Sequence, residues 1–183
     1  MTMKINIVLF GPPLAGKRTI AEAFAKQNHA KIEMVRMKCA DNESVADAAI
    51  YVTTKLSHHA SIILTTLSGA VWSMSSWDQL FQDIDGVVLV LDPQETRQNA
   101  DDEAKTYLEE KVKHLQHPHI GCIVATKSDL IKNGIRCMTK KILEKRYSIR
   151  QWPFYYSDCE DELHLIQPVQ DLAREVEKAK SVS

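Results

Sequence analysis

The run Gly86-Val87-Val88-Leu89-Val90-Leu91 constrains the fold more than any other stretch, because six consecutive residues carry no polar side chain. A strand with one wet face alternates apolar and polar residues, whereas an unbroken run of this length reads as a strand covered on both faces. It is far too short to cross a membrane. Similar runs occur at Ile5-Asn6-Ile7-Val8-Leu9-Phe10, at Ser61-Ile62-Ile63-Leu64, at residues 120–125 and, more briefly, at 152–156. Between them apolar residues fall at helical spacing: Ile20 and Phe24; Trp77, Leu80, Phe81 and Ile84; Ala104, Tyr107, Leu108, Val112 and Leu115; Ile142 and Leu143; Val169, Leu172, Ala173 and Val176. Residues 30–56 are less regular, with strand pieces expected around 32–35 and 50–52. This alternation predicts a doubly wound, three-layer α/β fold, with a mainly parallel six-stranded sheet and helices on both faces. No repeat, low-complexity tract or linker divides the chain, so a single domain over residues 1–183 is expected, frayed after Ala179.

Composition narrows the classes of function. An apolar fraction of 44% suits an ordinary globular core, and the net charge of −1, with acids and bases interspersed, argues against a nucleic-acid groove or a polybasic membrane anchor. Cys39, Cys122, Cys137 and Cys159 lie far apart and form no CxxC pair, so reduced thiols are expected rather than zinc or a disulfide framework. The first residues contain no secretory apolar region, residue 2 is Thr, and the last three residues contain no Cys. The expectation is therefore a cytoplasmic protein with no direct membrane anchor. His114, His117 and His119 suggest a metal cluster at first sight, but a solvated loop with a proline among them is the simpler reading. His58 and His59 are adjacent before a strand and would point to opposite faces.

Gly11-Pro12-Pro13-Leu14-Ala15-Gly16-Lys17 lies between the first strand and the first helix and matches GxxxxGK. Such a loop can wrap a diphosphate in backbone N–H groups, with the helix N-terminus favouring the negative charge and Lys17 reaching the β- and γ-phosphates. The residue after Lys17 should be Ser or Thr, whose hydroxyl coordinates Mg²⁺. Here it is Arg18, which has no lone pair to offer a metal. Thr19 follows about 100° around the helix and faces elsewhere.

The strand ending at Ala125 runs into Thr126-Lys127-Ser128-Asp129, and with the upstream GxxxxGK the chain resembles the Ras-like small GTPase superfamily of P-loop G domains. In that resemblance the motif is [N/T]KxD. Asp129 would accept hydrogen bonds from N1–H and the 2-amino group of guanine, donors that adenine lacks, and the Lys127 stem would pack over the base. Leu64-Thr65-Thr66-Leu67-Ser68-Gly69 stands where the superfamily has DxxG, so Gly69 would offer its N–H to the γ-phosphate and Thr66 replaces the Asp. Tyr156-Ser157-Asp158-Cys159 resembles the fifth motif, placing Ser157 and Asp158 near the base. Within the superfamily the chain is most similar to the bacterial MglA-type gliding-motility and polarity GTPases. Those share the GPxxxGK opening, the Thr at the DxxG Asp and a segment like Leu91-Asp92-Pro93-Gln94-Glu95-Thr96-Arg97-Gln98-Asn99-Ala100. The resemblance covers nearly the whole chain. It implies GTP or GDP as ligand, with Gly11, Pro12, Pro13, Leu14, Ala15, Gly16, Lys17, Arg18 and Thr19 around the phosphates. It also implies a regulatory or effector protein as partner, a roadblock-type activator being one candidate.

The departures fall on metal and hydrolysis chemistry. Where Ras-type enzymes carry a water-orienting Gln after Gly69, this chain has Ala70, followed by Val71 and Trp72. The arginine that MglA-type proteins supply from the first switch region has one counterpart between Lys31 and Gly69, namely Arg36, and the switch threonine is either Thr53 or Thr54. Trp72 is a candidate effector contact, whereas core packing is the expected role of Trp77. Catalytic residues are not assignable, no metal ligand is predicted, and the need for Mg²⁺ is left open. Two functions remain: a nucleotide-dependent switch with weak or partner-dependent GTP hydrolysis, and a pseudo-GTPase scaffold with little or none. A metabolite kinase ranks last, because it has no need of TKxD.

Overall fold

In the computed structural model, residues 2–38, 45–67, 81, 83–113, 120–127, 135–157 and 161–182 are described. Seven strands are present: β1 (Met3–Phe10), β2 (Lys31–Lys38), β3 (Val45–Lys55), β4 (Ala60–Leu67), β5 (Gly86–Leu91), β6 (Gly121–Ala125) and β7 (Phe154–Tyr156). Four helices are described: α1 (Lys17–Gln27), α2 (Gln98–Val112), α3 (Lys140–Tyr147) and α4 (Glu162–Val182). One sheet of order β2-β3-β4-β1-β5-β6-β7 contains all the strands. From β4 to β7 its pairings are parallel, while β2–β3 and β3–β4 are antiparallel. The expected mainly parallel six-stranded sheet is thus corrected to a seven-stranded mixed sheet. The difference lies in residues 31–55, where the two short strand pieces are instead a long antiparallel pair of 8 and 11 residues added at one edge.

Strand alternation divides the core into two layers. Ile5, Ile7, Leu9, Val88 and Val90 point to the face covered by Ile20 and Phe24 of α1 and by Val169, Leu172 and Val176 of α4. Val8, Phe10, Val87, Leu89 and Leu91 point to the opposite face, covered by Ala104, Leu108 and Val112 of α2 and by Leu143 and Tyr147 of α3. Every residue of β5 and β6 is buried, as the uninterrupted apolar run requires. Gly121 is needed for a packing reason: a Cβ there would lie 2.3 Å from the Trp152 ring, which covers the start of β6.

The topology also determines where a ligand can sit. The strand hydrogen-bonded on one side of β1 is β4 and on the other β5, and the helices that follow β1 and β5 pack on opposite faces. At such a switch point the connections diverge and leave a crevice at the carboxyl ends of the strands. Both GxxxxGK and the Asp92–Arg97 segment leave the sheet there.

Candidate functional site

The phosphate-loop sequence forms a tight βα turn. Gly11 has φ 149°, and a Cβ at this position would lie 2.1 Å from the Val90 carbonyl oxygen, so the loop crosses β5 too closely for any side chain. Leu14 (φ 66°) and Gly16 (φ 96°) also lie in the left-handed region. Successive left-handed and right-handed residues turn backbone N–H groups into one concavity, an arrangement suited to anions. Pro12 and Pro13 have no N–H, so after Gly11 the loop's next donor is Leu14. At the start of α1 no side chain caps the free N–H groups, since the N-cap residue is Gly16.

Four carbonyls of the loop accept hydrogen bonds from side chains. The buried Lys17 ammonium donates to the Gly11 and Pro12 oxygens, each at 2.7 Å. Arg97 Nη2 donates to the Pro13 oxygen at 3.2 Å, and the Thr126 hydroxyl donates to the Ala15 oxygen at 2.7 Å. Burial lowers the Lys17 pKa to about 8, against the opposing pull of Asp101. Its ammonium therefore sits close to the loop while poorly solvated, which strengthens its attraction for an anion.

Thr126 brings the two sequence motifs together. It is fully buried at the end of β6, and its hydroxyl lies within hydrogen-bond distance of Ala15, 111 residues away, and of the Leu91 oxygen. Lys127 follows in the left-handed region at φ 58°, and its Nζ lies 2.6 Å from Asp92 Oδ2. Ser157, at the end of β7, is buried; its N–H donates to the Ala125 oxygen and its hydroxyl to the His164 oxygen at 2.9 Å. That hydroxyl braces the start of α4. Gly69, Ala70, Trp72, Trp77, Ser128, Asp129 and Asp158 lie outside the described residues, as do Cys39, Cys159 and the histidines at 114, 117 and 119.

One switch-region expectation is corrected. Thr53 and Thr54 pair with Ile63 and Ile62, in the first half of β4. That is the opposite end of the sheet from the phosphate loop, roughly 13 Å down the strand at about 3.3 Å per residue. Neither can sense a phosphate held at Lys17. Arg36 stands opposite Asp47 on the edge strand β2, three strands away from β1 at about 4.8 Å per strand.

The residues at the expected Mg²⁺ positions do not fit a metal. The Arg18 side chain is 58% exposed and its Nε lies 2.7 Å from Glu22 Oε1, one turn along α1. The Thr66 hydroxyl is buried and directed at the Leu67 carbonyl, 3.3 Å away. Among the described residues no group of three or more His, Cys, Asp or Glu side chains could hold an ion. Thr19 is exposed on α1, consistent with its facing away from Lys17.

No protein-family model matches the chain, and no curated protein matches its sequence.

The segment after β5 holds functional candidates that neither motif contains. Asp92 is fully buried and accepts hydrogen bonds from the backbone and side chain of Gln94 as well as from Lys127, with Arg97 Nε at 3.9 Å. Asp101, on the buried stripe of α2 with Ala104 and Leu108, accepts from the Asp92 N–H through Oδ1, while its Oδ2 has no partner among the described residues. Burial raises the Asp101 pKa to about 8 against the opposing hydrogen bond from the Asp92 N–H, so it is mostly protonated at neutral pH. The signal was present: an acid three residues before Ala104 and seven before Leu108 lies on the apolar face of its helix.

Among the described residues no helix is long and apolar enough to cross a membrane.

Proposed function

We propose that the chain is a Ras-like P-loop domain that binds GDP and GTP and acts as a regulatory or polarity-signalling protein with weak or partner-dependent hydrolysis. The observation that carries this reading is the Thr126 hydroxyl on the Ala15 carbonyl, which joins a phosphate-type loop to a TKxD segment at one crevice. Neither motif alone would be specific. Their contact supports a ligand that has both phosphates and a base. In this reading Lys17 neutralises phosphate charge, the N–H groups from Leu14 onward bind phosphate oxygens, and Asp129 selects guanine. GTP, when bound, supplies the transferable phosphoryl group.

The outward-turned Arg18 and the Leu67-directed Thr66 favour a second form of the same reading, a pseudo-GTPase scaffold that binds partners with little hydrolysis. Chromatography of the nucleotide released from the denatured protein, followed by titration of fluorescent GDP and ADP, tests the guanine binding that both forms share. Guanine nucleotide should be released, and Asp129→Asn should lose guanine preference by about 1–3 kcal/mol, the cost of mispairing a buried hydrogen-bonding group. Equal affinity of the parent protein for GDP and ADP would remove the guanine assignment.

A further inference from the structure

We propose that Asp92 is a positioning residue that yokes base recognition to phosphate binding, through Lys127 on one side and Arg97 on the other. The inference rests on the nucleotide-binding reading and adds residues that the sequence motifs do not contain. Asp92 leaves the carboxyl end of β5, and its side chain is 1% exposed. The Oδ2 atom receives the Lys127 ammonium at 2.6 Å and lies 3.9 Å from Arg97 Nε. Gln94 occupies the remaining acceptor positions through its N–H at 3.2 Å and its side-chain amide at 3.0 and 3.1 Å. Arg97 continues the chain of contacts to the Pro13 carbonyl at 3.2 Å.

The geometry gives each link a consequence. The ammonium held on Asp92 fixes the direction of the Lys127 stem, the part expected to cover the base. On the other side, Arg97 holds the Pro13 carbonyl, and because the carbonyl and the next N–H of a trans peptide point in opposite directions, that contact fixes the direction of the Leu14 N–H. Leu14 is the first donor after Gly11, because Pro12 and Pro13 have none. Arg97 therefore acts at the peptide that sets the direction of the Leu14 N–H. Both cations lean on one desolvated carboxylate, so displacement of either changes the charge felt by the other. Asp101 sits behind this carboxylate and bonds its N–H, which fixes the backbone from which Asp92 projects.

The test is a double-mutant cycle of Lys127→Ala and Arg97→Ala in the full chain, read by affinity for fluorescent GDP, with circular dichroism as the check on folding. Both side chains are partly exposed, so neither variant removes core packing. Each single change should weaken GDP binding several-fold, and the double variant should be at least threefold tighter than the product of the single effects requires. Repeating the cycle in an Asp92→Asn background should abolish that coupling. Arg97→Lys should recover part of the affinity lost in Arg97→Ala, because a cation near Asp92 and Pro13 is restored. Independent single effects within twofold would overturn the yoke while leaving nucleotide binding intact. A parent protein that binds neither GDP nor GTP would instead overturn the nucleotide reading, and this inference with it. If Asp92→Asn fails to fold, the cycle in the parent background still decides.

Discussion

Around the loop after β1 the crevice wall is fastened by Lys17, Arg97 and Thr126 onto four carbonyls, whereas Arg18 in α1 and Thr66 in β4 are engaged elsewhere. Arg18 reaches along its own helix to Glu22, and Thr66 is occupied with the next carbonyl. In the proposed reading, gripping phosphate and processing it make separable structural demands. The grip depends on backbone shape and on cations held beneath the loop. Processing needs oxygen ligands for a metal, and the described residues supply none at these positions.

The largest effect should come from breaking the backbone shape itself. Gly11→Ala would place a methyl 2.1 Å from the Val90 carbonyl, and neither backbone can move without disturbing buried β5. Loss of about 3 kcal/mol of stability is expected in urea unfolding, the upper end of the usual range for overpacked core substitutions. An unchanged unfolding midpoint would show that the loop approaches β5 less closely than described.

Lys17→Ala should come next, removing the charge under the loop and lowering GDP affinity about 10- to 100-fold, as expected for a charge-assisted contact worth roughly 1.5–3 kcal/mol. Unchanged affinity would make the loop a structural turn.

Asp101 sharpens the comparison through pH. With its pKa raised to about 8 in the folded state, it retains a proton that the unfolded chain releases near pH 4. Between these values the native state binds more protons, so stability should fall as pH rises, at no more than about 1.4 kcal/mol per pH unit from this group. Above pH 8 its contribution levels off. Asp101→Asn should flatten that slope in denaturation series from pH 5 to 8. A slope equal to the parent's would assign the proton elsewhere.

The smallest effect belongs to the other side of the crevice. Arg18→Thr should change stability by no more than about 0.5 kcal/mol, since its pair with Glu22 is exposed. It should nevertheless make GTP affinity more dependent on Mg²⁺, measured with and without chelator. Strong Mg²⁺ dependence in the parent would show that Arg18 is no obstacle to the metal.

The central strands were legible because burial on both faces leaves no room for polar residues, so β1, β5 and β6 read directly as apolar runs. Lys17 and Thr126 were legible because their motifs sit where a strand ends. The β2–β3 pair was read as fragments for the opposite reason. At an edge, Lys31, Glu33, Arg36 and Lys38 interrupt the pattern, and Ile32, Met34 and Val35 remain exposed, so patterning does not reveal how far pairing extends. Arg97 and Asp92 were missed because their roles depend on tertiary contacts: Arg97 meets Pro13 across 84 residues and Asp92 meets Lys127 across 35. No local spacing encodes either.

The paired prolines of the loop have a consequence for any solvent-exchange measurement. Positions 12 and 13 carry no amide hydrogen, so deuterium uptake cannot report on the tip of the turn. The Leu14 amide becomes the first reporter, on a residue whose side chain is 74% exposed and whose backbone is left-handed. Slowed uptake from Leu14 to Lys17, with no change along the interior of β5, would mark an anion settling on the loop without any label attached to it.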